Sequence, residues 1–137
     1  MVMNTTAARV LPEPLSAIAG DISRLAALDV DRIPTAALGD GMAAMRRDID
    51  ALEAQFSRWL LLFDRARGFE TEGSNSAVSW LRGVCRLSGG AAAERVQVAR
   101  ELAQLPDTKA SFDSGEIGYQ HAAVIARSAA ELGVDVG

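Results

Sequence analysis

The strongest pattern of apolar positions in the chain runs from Leu38 to Phe63. Leu38, Met42, Met45, Ile49, Leu52, Phe56, Trp59 and Phe63 follow one another in alternating steps of four and three residues. A repeat of 3.5 is a heptad seam, and it predicts one long helix from about Thr35 to Ala66, on the order of 45 Å at 1.5 Å per residue. Arg46, Arg47, Asp50, Glu53 and Arg58 fall on the side assigned to solvent. A seam this long needs a partner helix. Packing across the C-terminal helices of the same chain is the preferred arrangement, and pairing with a second copy is the alternative. Trp59 and Phe63 read as packing residues rather than as a ligand-binding aromatic stripe.

Weaker helical periodicities flank this seam. Leu15, Ile18, Ile22 and Leu25 give an amphipathic helix from Pro14, closed by Asp29, Asp31 and Pro34. After the long helix, residues 65–73 carry Gly68, Gly73 and paired acids and read as a loop. Ser74 or Ser76 then caps a short helix through Val84, because a hydroxyl there accepts a bond from an orphan backbone N–H. A helix over about 89–104 has the stripe Ala92, Val96, Ala99 and Leu102, and Leu105 and Pro106 stop it. Asp107 is expected to cap a helix to Ser114; 115–118 form a turn, and 119–132 form the last helix. No strand alternation is present.

The fold class is therefore all-α: a helical bundle with one long heptad-patterned helix followed by two helix-turn-helix-like hairpins, at 74–104 and 107–132. The expected organisation is a flexible tail over 1–13, a single helical domain over 14–132, and the start of a missing connection over 133–137. With 137 residues, 49% of them hydrophobic, the chain can build one modest core without a metal or disulfide staple. Cys85 is the single cysteine. That removes any disulfide framework or Cys-rich zinc site, suits a reducing cytoplasm, and reads as a small buried hydrophobe. There is no secretory h-region and no apolar run of membrane-crossing length, so the expected location is the cytoplasm.

The candidate chemistry is sparse. A metal-dependent nuclease needs several converging His, Asp or Asn ligands, and His121 is the only histidine. No Gly-x-Ser-x-Gly elbow accompanies the serines, and Ser88 before Gly89 and Gly90 lacks the Lys-Ser or Lys-Thr pair of a phosphate loop. No catalytic residue, metal, cofactor or small-molecule ligand is expected. The net charge of −4 gives the whole molecule no footprint for nucleic acid. Between Ser74 and Gln104, however, Arg82, Arg86, Arg95 and Arg100 outnumber Glu94 and Glu101 by two. Those arginines form a candidate phosphate-reading surface only if they share a face; the plainer reading is a solvated helix with internal ion pairs. His121, near the start of the last helix, is a candidate contact to a phosphate or base edge, with a partly buried, hydrogen-bonded imidazole as the plainer reading.

Taken in order, Ser76-x-x-x-Trp80-Leu81, Leu87-Ser88-x-x-Ala91, Val98-Ala99-Arg100-x-Leu102-x-x-Leu105-Pro106 and Gly115-x-Ile117-x-x-Gln120-His121-Ala122 resemble one family. It is the actinobacterial domain of unknown function 222 family, a mycobacterial repeat family often found in front of an HNH endonuclease domain. The resemblance is specific over roughly residues 70–130. It implies an all-helical region preceding a nuclease module, and that module is expected to be absent from this chain; Gln120 joins His121 among the candidate DNA contacts. Two positions depart from the pattern. Arg86 stands where a glycine is expected in the first turn, and Gly118 stands where a serine often caps the last helix. The function expected is a non-catalytic, HNH-associated helical module that contacts duplex DNA. The alternatives are a dimerisation or protein-interaction scaffold built on the long helix, and a remnant of a mobile-element protein with no present role.

Overall fold

A computed structural model describes residues 10–133. Among them are seven α-helices and no strand, so the protein is all-α as expected. The order is α1 (Glu13–Ala26), a 3-10 turn (Val30–Arg32), α2 (Thr35–Arg65), α3 (Gly68–Thr71), α4 (Ala77–Gly83), α5 (Gly89–Leu102), α6 (Pro106–Asp113) and α7 (Tyr119–Glu131). Most of the tail expected over 1–13, and all but Gly133 of the connection expected over 133–137, lie outside the described residues. The chain divides into two units, residues 1–40 and 41–137, and α2 begins in the first and runs into the second.

In the first unit, Pro14 sits in the opening turn of α1, where its missing N–H has no intrahelical partner to lose, and Glu13 faces the positive end of the helix. Leu15 and Ile18 are half-buried, while Ile22, Leu25 and Leu28 are exposed. Leu38, at the head of α2, is half-buried.

In the second unit, α5 is central because it feeds two cores. Ala92, Val96 and Ala99 join Leu60, Phe69, Ala77 and Leu81 in one cluster. Val98 and Leu102 join Ala54, Phe112, Tyr119, Ala122, Ala123 and Ala126 in the other. A helix covered on two sides needs apolar residues beyond a single stripe, which is why Val98 is buried in addition to the expected Ala92, Val96, Ala99 and Leu102. Ser76 caps α4 as expected and Ser88 caps α5: their hydroxyls accept from the backbone N–H groups of Ser79 and Ala91 at 3.0 and 3.1 Å. Each such cap contributes about 1 kcal/mol.

Three local expectations are corrected. Residues 65–73 are not all loop, because Gly68–Thr71 form one helical turn that delivers Phe69 into the core, edge-on to Phe63 with ring centroids 6.4 Å apart. Asp107 does not cap α6. Pro106 already occupies the first helical positions, so the cap falls on Leu105 and Asp107 lies in the first turn, where its charge complements the helix dipole. The third correction concerns which face of α2 is packed, and it decides where the molecule's interaction surfaces lie.

Candidate interaction surfaces

The packed face of α2 is not the heptad seam. The residues of α2 that are fully buried are Ala54, Ser57 and Leu60, with Asp50, Glu53, Leu61 and Asp64 half-buried on the same side. The acids on this face find partners on other helices. Arg95 donates to Glu53 at 2.6 Å. Arg100 forks onto Asp64, with Nε and Nη2 bonds of 2.8 and 3.0 Å. Asp50 and Glu53, expected to face solvent, thus stitch α2 to α7 and α5.

The seam itself faces outward. Met42, Met45, Ile49, Leu52, Phe56 and Trp59 are between 37% and 65% exposed. Only at its end does the seam turn inward: Phe63 is half-buried and packs at a tilt of 48° against Trp80, with ring centroids 4.5 Å apart. Allowing about 200 Å² for each large side chain, these six residues leave roughly 600 Å² of apolar surface on one line, the upper end of what a monomer usually shows. The expectation that the seam packs across the C-terminal helices of the same chain is therefore wrong. Periodicity locates an apolar face without saying what covers it.

The four candidate arginines split into two pairs. Arg95 and Arg100 are spent on structure. Besides Glu53, Arg95 lies 3.6 Å from Glu94 and stacks on Tyr119, its guanidinium carbon 4.3 Å from the ring centroid. Its carboxylate partners raise its pKa against the desolvation of partial burial, so it is a permanent cation. The hydrogen bond to Asp64 likewise raises the pKa of Arg100. Arg82 and Arg86 are exposed, and among the described residues neither is ion-paired to a carboxylate. Arg82 lies over Gly89 at the first turn of α5, its Nε 3.7 Å from where a β-carbon would stand, along an open cleft lined also by Ser79, Leu87 and Ser88. Arg86 has φ of 61°, the left-handed conformation for which a glycine was expected. Gln120 and His121 are both exposed on the first turn of α7, so the imidazole is not the partly buried one preferred from sequence. They sit beside Tyr119, whose contacts run to Asp50, Glu94 and Arg95 rather than to Arg82 or Arg86.

That Tyr119 neighbourhood escaped the sequence reading. The Tyr119 hydroxyl pairs with Glu94 at 3.0 Å, Arg127 reaches the other Glu94 oxygen at 3.2 Å, and burial drives the phenol pKa well above its ordinary value. Gly118 is the N-cap of α7 and has no side chain to cap with. The Oδ1 of Asp50 accepts from the Tyr119 N–H at 3.1 Å instead. A β-carbon on Gly118 would stand 2.7 Å from Asp50 Oδ2, so the glycine makes room for a cap supplied by another helix. The serine expected there would have collided with it.

Among the described residues no three of His, Cys, Asp or Glu gather as metal ligands, and no helix is long and apolar enough to cross a membrane. The description that matches the chain is "Domain of unknown function (DUF222)", over residues 36–136, and the protein belongs to that family. Comparisons with curated proteins and with solved structures give no match.

Proposed function

We propose that this DUF222 domain is a non-catalytic, cytoplasmic self-association module in which the apolar stripe of α2 joins two copies of the chain. The observation that carries this reading is that six large apolar side chains stay exposed at heptad spacing, on a helix whose opposite face is already packed. Burying the stripe on both copies would hide about 1,200 Å², the lower bound for a specific interface. Sedimentation at tens of micromolar should give twice the 14.5 kDa chain mass. The paired substitution Leu52→Glu with Trp59→Glu should give the single mass with unchanged helical circular dichroism, because neither side chain is buried. A wild-type chain that sediments as a monomer at that concentration would refute the proposal.

A second reading, contact with duplex DNA, is favoured by one observation: among the described residues Arg82 and Arg86 stay exposed and free of carboxylates while their neighbours Arg95 and Arg100 are ion-paired. On this reading the dimer presents two arginine-bearing turns to phosphate, in the setting the family resemblance implies, beside an HNH nuclease module. Anisotropy with labelled duplex DNA should show salt-dependent binding. The pair Arg82→Ala and Arg86→Ala removes four arginines per dimer, and should weaken binding for all sequences and flatten the salt slope by about 4. Binding that is absent, or that keeps its slope in the double variant, removes this reading and leaves self-association standing.

A further inference from the structure

We infer that the two copies pair antiparallel along α2, with the twofold axis between Ile49 and Leu52. The inference rests on the self-association just proposed and adds direction and register to it. The stripe is chemically lopsided: its first third is Met42 and Met45, its middle Ile49 and Leu52, its last third Phe56 and Trp59, and all six are exposed. Antiparallel pairing about its midpoint sets Met42 against Trp59 of the second copy, Met45 against Phe56 and Ile49 against Leu52. Each aromatic ring then meets a flexible thioether, a contact that sulfur and ring edges favour and that an unbranched side chain can mould to. Parallel pairing would set every residue against itself, crowding two indoles into one layer and leaving two methionines to fill another.

The arrangement of the rest of the unit points the same way. The helices packed on α2 attach between Asp50 and Asp64, towards its C-terminal end. Antiparallel copies place those bodies at opposite ends of the paired helices, whereas parallel copies crowd them at one end.

The test is disulfide formation between single-cysteine variants in a Cys85→Ser background, with the mass in solution measured before oxidation. Met45→Cys mixed with Phe56→Cys should cross-link on oxidation, and neither variant alone should do so. Met42→Cys mixed with Trp59→Cys provides an independent second pair should either substitution at 45 or 56 disturb folding. If Met45→Cys cross-links with itself, the pairing is parallel and the register inference falls while self-association survives. A dimeric mass with no cross-link in either mixture also overturns it and moves the interface off the stripe. A monomeric mass defeats self-association itself and leaves the stripe to another occupant, such as the chain's own α1, whose Ile22 and Leu25 are also exposed.

Discussion

The cap that Asp50 supplies to α7 predicts a reversal of sign. Asp50 Oδ1 accepts from the Tyr119 N–H at 3.1 Å, with its side chain 23% exposed. A hydrogen bond to a charged acceptor contributes about 1.5–3 kcal/mol, and a carboxylate at a helix N-terminus adds a few tenths more. The ion pair of Asp50 with the exposed Arg46 adds little. Asp50→Ala should therefore cost about 2 kcal/mol, which lowers the melting temperature of a chain this size by roughly 6–10 °C. Gly118→Ser is the informative partner. Capping preferences alone favour serine over glycine by a few tenths of a kcal/mol. In the wild-type background, though, its β-carbon would stand 2.7 Å from Asp50 Oδ2 and 3.0 Å from Cγ, so the carboxylate must swing away and its bond is exchanged for a weaker one. Gly118→Ser should thus destabilise the wild-type chain by about 1 kcal/mol and stabilise the Asp50→Ala chain by about 0.5 kcal/mol. Urea melts of the four proteins measure the cycle. The same sign in both backgrounds, or an Asp50→Ala cost below about 0.5 kcal/mol, would show that the cross-helix cap is not what starts α7.

Arg86→Gly should stabilise the chain by about 0.5–1 kcal/mol in denaturant melts, because it relieves a side chain held at positive φ. If Arg86 contacts phosphate, the same change should weaken DNA binding, so stability and affinity would move in opposite directions. Tyr119 is the single tyrosine, so absorbance near 295 nm titrates it alone. Its folded pKa lies above the unfolded value of about 10, so the stability it contributes is complete below about pH 10 and is lost as pH rises beyond it. Tyr119→Phe should flatten that alkaline loss, and equal losses in the two proteins would contradict the burial argument.

The course of the chain was legible in the sequence to a degree that the faces of its helices were not. The bounds of α2 and the hydroxyl cap of Ser76 follow from rules that act over a few residues, and the strained turn at Arg86 was marked by the family resemblance. The packed face of α2 does not. It is made of Ala54, Ser57, Leu60 and acids whose partners, Arg95, Arg100 and the Tyr119 amide, lie 36 to 69 positions away. Small and charged residues on a helix read as a wet surface until those partners are known, whereas Met42 to Trp59 read as core although they are bare. Similarly, Arg95 and Arg100 read as partners for acids of their own helix, because Glu53 and Asp64 belong to a distant one. The correct signal was a second line of the same period, through Asp50, Ala54, Ser57, Leu61 and Asp64, weaker in hydrophobicity and so outranked.

The central position of α5 also changes what the two hairpins are. They look like successive copies of one plan, yet α5 hands one flank to Leu81 and Phe69 and the other to Phe112 and Tyr119. Cutting the chain between them would strip Val98 and Leu102 of cover on one piece and leave the other without the wall it leans on. The pair should therefore melt as a single cooperative block, and neither half is expected to fold if duplicated, exchanged or grafted by itself.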